Sequence, residues 1–248
     1  MRLRRRDKER ALGAVPRWLQ GALLVGIAIE ITLRLWIGNP GARAVDLEPP
    51  PGIGAMRVVA LGEPIALAYG AALRLQSFDN QPGVSLPFAS LDYRRVEQWL
   101  ATLLAMDPVA QYPLVMASHL YAQVSGSPER QRAMAAFVHR EFLRDPARRW
   151  PWLAHMAIMA RHRLGDMRLA IQYADAIRDH ANLPTVPAWA RQMHIFLRED
   201  AGEREAARAL LGGLLASGTV TDPHEIAFLT SRLEAMESVE NSTSATKP

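Results

Sequence analysis

The sequence predicts an all-α fold: an α-solenoid of about four helix pairs with a C-terminal capping helix, preceded by one transmembrane helix. Three observations carry that expectation. A basic head is followed by 21 apolar-rich residues, prolines and glycines recur at a near-constant interval, and no catalytic or nucleotide-binding motif interrupts the pattern. The 248 residues, 49% apolar and 22% charged, suffice for one large domain with extensions and argue against wholesale disorder. With 0 Cys, a disulfide framework, a zinc ribbon and a thiol nucleophile are excluded.

Residues 1–17 hold seven bases (Arg2, Arg4, Arg5, Arg6, Lys8, Arg10 and Arg17) against Asp7 and Glu9. Subtracted from 29 bases and 25 acids, these leave 22 against 23 in the remainder. The net charge of +4 is therefore a basic cytoplasmic head on a nearly neutral body. No basic surface remains for nucleic acid.

Residues 18–38, Trp18 to Gly38, span about 31 Å as a helix, the thickness of a bilayer core. Leu, Ile and Val favour insertion, while Glu30 and Arg34 oppose it. At i, i+4 those two can pair, and Arg34 is near enough to the end to snorkel. Trp18 and Trp36 would sit at the interfaces. Positive charge stays inside, so the expected topology is a single-pass signal anchor in the inner membrane, N-terminus cytoplasmic and the remainder periplasmic. Glu30 and Arg34 are the candidate membrane-contact residues, because an ionisable group in a membrane commonly marks a site. Two other readings stand beside the anchor: a signal peptide cleaved after Ala42-Arg43-Ala44, and a soluble amphipathic helix.

Residues 39–55 contain Pro40, Pro49, Pro50 and Pro51 and read as an extended spacer. Residues 238–248 are polar and read as a disordered tail. The helical repeat domain is expected between them, over 56–237. Pro108, Pro146, Pro184 and Pro223 are 38, 38 and 39 residues apart, and Gly126, Gly165 and Gly202 are 39 and 37 apart, out of phase with them. A period of that length indicates stacked supersecondary units, none able to bury its apolar face alone. First helices are expected at Pro113–Val124, Pro151–Leu164 and Pro187–Glu199. Their partners are expected at Pro128–Arg144, Met167–Ala181 and Glu203–Ala216, with a last helix from Asp222-Pro223-His224-Glu225 to about Met236. An earlier pair, Pro64–Ser77 and Leu91–Met106, flanks a long loop, Phe78–Ser90. That loop is either a partner-binding element or a plug over the first repeat.

Arg163-Leu164-Gly165-Asp166-Met167-Arg168-Leu169-Ala170 resembles the turn of the tetratricopeptide (TPR) superfamily, and Ala201-Gly202-Glu203-Arg204-Glu205-Ala206-Ala207 repeats its spacing. Asp107-Pro108 and Asp145-Pro146 look like the proline that closes a TPR unit. The period of 38 departs from that family's 34. The resemblance covers about 58–237 and implies a right-handed stack of helix pairs, in a membrane-anchored bacterial periplasmic protein that binds proteins on a concave face.

Chemical motifs are absent. The seven histidines include no i, i+4 pair, so zinc-protease spacing is missing, and GxSxG, Walker and GxGxxG patterns are missing too. No catalytic residue, cofactor or metal is expected. The first helices instead offer a partner-binding stripe: His119 and Gln123, then His155, Met159 and His162, then Arg191, His194 and Arg198, each set sharing a helix face. Such a groove suits an acidic segment of a protein partner. The tryptophans Trp150, Trp152 and Trp189 read as packing between repeats. The expected function is thus a membrane-tethered interaction scaffold, a periplasmic adaptor or assembly factor. An accessory subunit of a membrane complex is the alternative, and an enzyme with an unrecognised helical site comes after it.

Overall fold

A computed structural model describes residues 16–37, 44–124, 126–181 and 183–244. The basic head, apart from Pro16 and Arg17, lies outside the described residues. Two compact units divide the chain: Met1–Val45 with Asn80–Ser85, and Asp46–Asp79 with Leu86–Pro248.

In the first unit α1 runs Arg17–Ile37, with Arg34 Nε 3.6 Å from Glu30 Oε1 as the i, i+4 spacing predicts. Residues Arg17–Trp36 are long and apolar enough to cross a membrane and are not buried against other protein, a property signal sequences share. The same unit holds a two-stranded antiparallel hairpin, β1 (Asn80–Gln81) and β2 (Val84–Ser85). Pro82 and Gly83 turn it, Gly83 at φ 75°, the conformation that the third residue of a type II turn needs. The Gln81 side-chain amide grips the Val45 backbone twice, donating to its carbonyl and accepting from its N–H, each at 2.8 Å.

The second unit is helical apart from its connections. Its helices are α2 (Ile53–Val59), α3 (Pro64–Gln76), α4 (Tyr93–Met106), and α5, continuous over 112–124. Then come α6 (Pro128–Arg144), α7 (Pro146–His162), α8 (Met167–His180), α9 (Ala188–Asp200), α10 (Arg204–Ala216) and α11 (Pro223–Ser244). Each helix packs on the next in sequence, and α2 with α4, α4 with α6 and α5 with α7 add next-but-one contacts. One apolar core extends from Leu47 to Leu197, and a smaller cluster of Ile195, Ala207, Leu211, Leu229 and Met236 holds α9, α10 and α11.

The glycine period survives and the proline period does not. Gly126, Gly165 and Gly202 turn α5 into α6, α7 into α8 and α9 into α10, all left-handed at φ 65°, 61° and 83°. Side-chain caps open three helices: Ser127 accepts from Arg130 N, Asp166 from Leu169 N, and Asp222 from His224 N. Glu225, three residues after Asp222 where a capping box would place its acid, accepts from Gln192. Pro146 and Pro223, however, begin helices, while Pro108 and Pro184 sit in turns. Asp145-Pro146 thus opens α7 where a unit was expected to close, and Pro151 lies inside that helix, not at its start. Pro146 is favoured at a first position, and Asp145 alone separates α6 from α7.

Two boundaries are corrected. The last helix runs to Ser244, past Met236 and into the expected disordered tail, since no Pro or Gly interrupts 224–244. The expected spacer is not free: Leu47 is buried, its carbonyl accepts from Arg95 Nη1 at 2.8 Å, and the Glu48 carbonyl accepts from Trp99 Nε1 at 2.7 Å. Extended, Pro-rich backbone makes no internal bonds, so its carbonyls are open to donors on α4. Then α2 begins at Ile53, inside the segment expected to be spacer. Phe88, near the end of the expected loop, is packed edge-on against Tyr121, ring centroids 5.5 Å apart.

Candidate functional site

Three of the residues expected to bind a partner meet across two helix pairs. In α5 the middle turn, Met116–Tyr121, is π-helical, a widening common at functional sites. It carries Ser118 and His119. The Ser118 hydroxyl donates to the Leu114 carbonyl at 2.7 Å and lies 2.9 Å from His119 Nδ1. With that proton committed, the network assigns Nδ1–H of His119 as donor to Ser118 and leaves Nε2 a bare acceptor.

From α7, His155 stacks on His119, ring centroids 4.0 Å apart and planes 21° from parallel. The Gln123 amide donates to His155 Nε2 at 3.4 Å. Trp152, one turn before His155, stands edge-on to His119 at 5.9 Å and donates from Nε1 to Gln111 Oε1 at 2.6 Å. Arg163, exposed at the end of α7, donates to the Gln123 carbonyl at 3.1 Å. His119 and Arg163 are exposed, Ser118 is buried, and Gln111, Gln123, Trp152 and His155 are half-buried. The result is a small aromatic and imidazole surface with one cation at its rim.

The remaining expected residues disperse. Met159 is 4% exposed and belongs to the core, because it shares the inward arc of α7 with Met156. His162 is exposed near the end of α7. In α9 the basic stripe splits. Arg198 makes a bidentate ion pair with Asp175 on α8, at 2.9 and 2.7 Å, and so spends its charge within the fold. His194 is buried with Nδ1 3.0 Å from the Arg191 carbonyl. Arg191 and His194 both line a cleft of ≈ 550 Å³ among α9, α10 and the 217–222 turn, with Gln192, Ser217, Thr219 and Glu225. Arg198 thus leaves the expected stripe, while Arg191 and His194 stay on one cleft. Among the described residues no three His, Asp or Glu side chains converge as a metal site.

Trp152, Ser118, Gln111 and Arg163 were not expected. Trp152 was the most legible, three residues before His155 on the same helix face, but a tryptophan near a proline reads first as packing.

Burial holds three imidazoles below the ordinary histidine pKa of 6.5: His155, with help from His119 and Arg163; His139, with help from His180; and His194, with help from Arg178. A histidine depressed in the folded state takes up its proton later than in the unfolded chain. Stability is therefore full above pH 6.5 and falls as pH drops from there through the folded pKa values. Thermal melts between about pH 7.5 and about pH 5.5 should show a falling midpoint. Its slope should shrink in a His155→Gln, His194→Gln variant; an equal slope would remove these residues as the cause.

No known protein family, curated protein or solved structure matches the chain.

Proposed function

We propose that this chain is a membrane-tethered protein-interaction module: a TPR-like right-handed stack of helix pairs held by α1 at the inner membrane, with the helical unit periplasmic. The observation that carries this is the surface made by His119, Gln123, Trp152 and His155. Residues from the first helices of successive Gly-turn pairs converge there. Aromatic faces, an acceptor on His119 and the Arg163 guanidinium suit a polar segment of a partner protein that carries an acidic side chain and a proton donor. Tethering raises the effective concentration of that surface toward other membrane-bound proteins.

Crosslinking the full-length chain in intact cells and identifying what co-purifies tests this. A Trp152→Ala, His119→Ala variant should recover roughly tenfold less of the partner, the loss of a central contact worth more than ~1 kcal/mol. A Glu30→Leu, Arg34→Leu variant should retain it. The opposite pattern would place association in the membrane and make the chain an accessory subunit, a reading favoured by the exposed Glu30–Arg34 pair on a helix whose one other charged residue is Arg17, at its start. No reproducible partner would remove the scaffold.

A further inference from the structure

We propose that the corner between α2 and α3 is a second membrane contact, its apolar outer face resting on the lipid surface that α1 enters and Leu61 forming its tip. This rests on the membrane reading of α1 given above.

The observation is a helix with too much apolar surface for its packing. In α3, PIALAYGAALRLQ, only Arg74 and Gln76 are charged or amide residues. Ala68, Ala72 and Leu75 face the core, yet Ile65, Tyr69 and Leu73 on other arcs are 51%, 56% and 60% exposed. A helix apolar all round is ordinarily covered all round. The surface continues into α2 through exposed Val58 and Val59, and from Val58 to Leu73 the only charged residue is Glu63.

Between the two helices the chain bends by 110°. Leu61 stands at that bend 90% exposed and left-handed at φ 49°, followed by Gly62 at 94°. A left-handed conformation is unfavourable for leucine, and an exposed leucine gains nothing from the fold in return. Both costs are offset if the tip enters an apolar medium.

The length of the tether selects lipid as that medium. Ile37, the last residue of α1, is ten residues from Leu47, which is docked on α4; fully extended, those ten reach at most about 36 Å. Pro51, four residues on, lines an apolar cleft with Met56, Val59 and Leu67 of α2 and α3. With α1 in a bilayer, Leu47 can lie no further than that from the end of α1, which leaves lipid within reach of this face. Exposed Arg57 and Arg74 bracket it, placed for anionic lipid.

The chain has 0 Cys, so single cysteines can be placed cleanly at Leu61, Leu73, Ile27 and Thr219 and carry an environment-sensitive fluorophore. The labelled full-length chain is reconstituted in phosphatidylethanolamine–phosphatidylglycerol vesicles, with and without brominated acyl chains. Labels at Leu61 and Leu73 should be quenched several-fold more than at Thr219, as at Ile27. Quenching at Ile27 alone would overturn the second contact and leave the anchor standing. Absence of quenching at Ile27 as well would remove the anchor and the proposal with it. Disulfide-linked dimers of unlabelled Leu73→Cys, in place of quenching there, would assign the face to a second copy and overturn a lipid occupant.

Discussion

Replacing Arg149 with alanine should cost the folded chain roughly 3–5 kcal/mol, the penalty for leaving one member of a buried ion pair alone. Arg149 and Glu141 are 4% and 2% exposed. From α7, Nη1 donates to the Glu141 carboxylate at 2.9 Å and to the Glu141 carbonyl at 2.7 Å, and Nη2 donates to the Pro108 carbonyl at 2.9 Å. One guanidinium thus joins α6, α7 and the turn between α4 and α5. Alanine there strands a carboxylate, whose remaining partner is Arg144 at the surface, together with two carbonyls. A Glu141→Leu, Arg149→Met chain, which buries no charge, should lose less than Arg149→Ala alone. Denaturant midpoints of the solubilised chain measure both. A single variant within about 0.5 kcal/mol of the parent would show the pair to be dispensable.

Tyr121→Ala should cost a similar ~3–5 kcal/mol, by a cavity instead of a charge. Tyr121 is wholly buried at the end of the π-helical turn, edge-on to Phe88 at 5.5 Å and to Tyr93 at 6.2 Å. Its hydroxyl donates to the Leu75 carbonyl at the end of α3 at 2.9 Å, and its own carbonyl accepts from the Tyr93 hydroxyl at 3.0 Å. Burial pushes its phenol upward, with neighbouring Tyr93, Asp79 and Tyr112 adding to the shift, so the proton stays for that bond at ordinary pH. Tyr121→Phe keeps the ring and should lose only about 1–2 kcal/mol. Equal losses from the two variants would assign the energy to the hydroxyl and contradict the cavity account.

Local rules reached far into this fold because its helices are bounded by local signals. Ser127, Asp166, Gly165 and Gly202 each act within a few residues of themselves, and the ends they predict are close to those found. Pro151 escaped them: a proline six residues into a helix is not distinguishable, from its neighbours alone, from one that opens it. Residues Asp46–Gly52 escaped for a different reason. Their Pro-rich backbone reads as spacer, and what docks it is Arg95 and Trp99, about fifty residues further on. In the candidate site, helical spacing put His119 with Gln123 and His155 with His162. The imidazole stack needs two helices to meet and has no local signature. Spacing also assigns a face without saying whether that face is covered, which is why Met159 proved to be core and Arg198 proved to be paired with Asp175.

The docked segment around Leu47 governs where tension enters the helical unit. A pull from the N-terminal side would first load the two Val45–Gln81 bonds, and would then have to draw Leu47 out of the core and break the Arg95 and Trp99 bonds on α4. The short helix α2, which follows immediately, would feel no load until then. The arrangement works as the strain relief on an electrical cord does, clamping the lead to the body of the device so that a tug never reaches the solder joint.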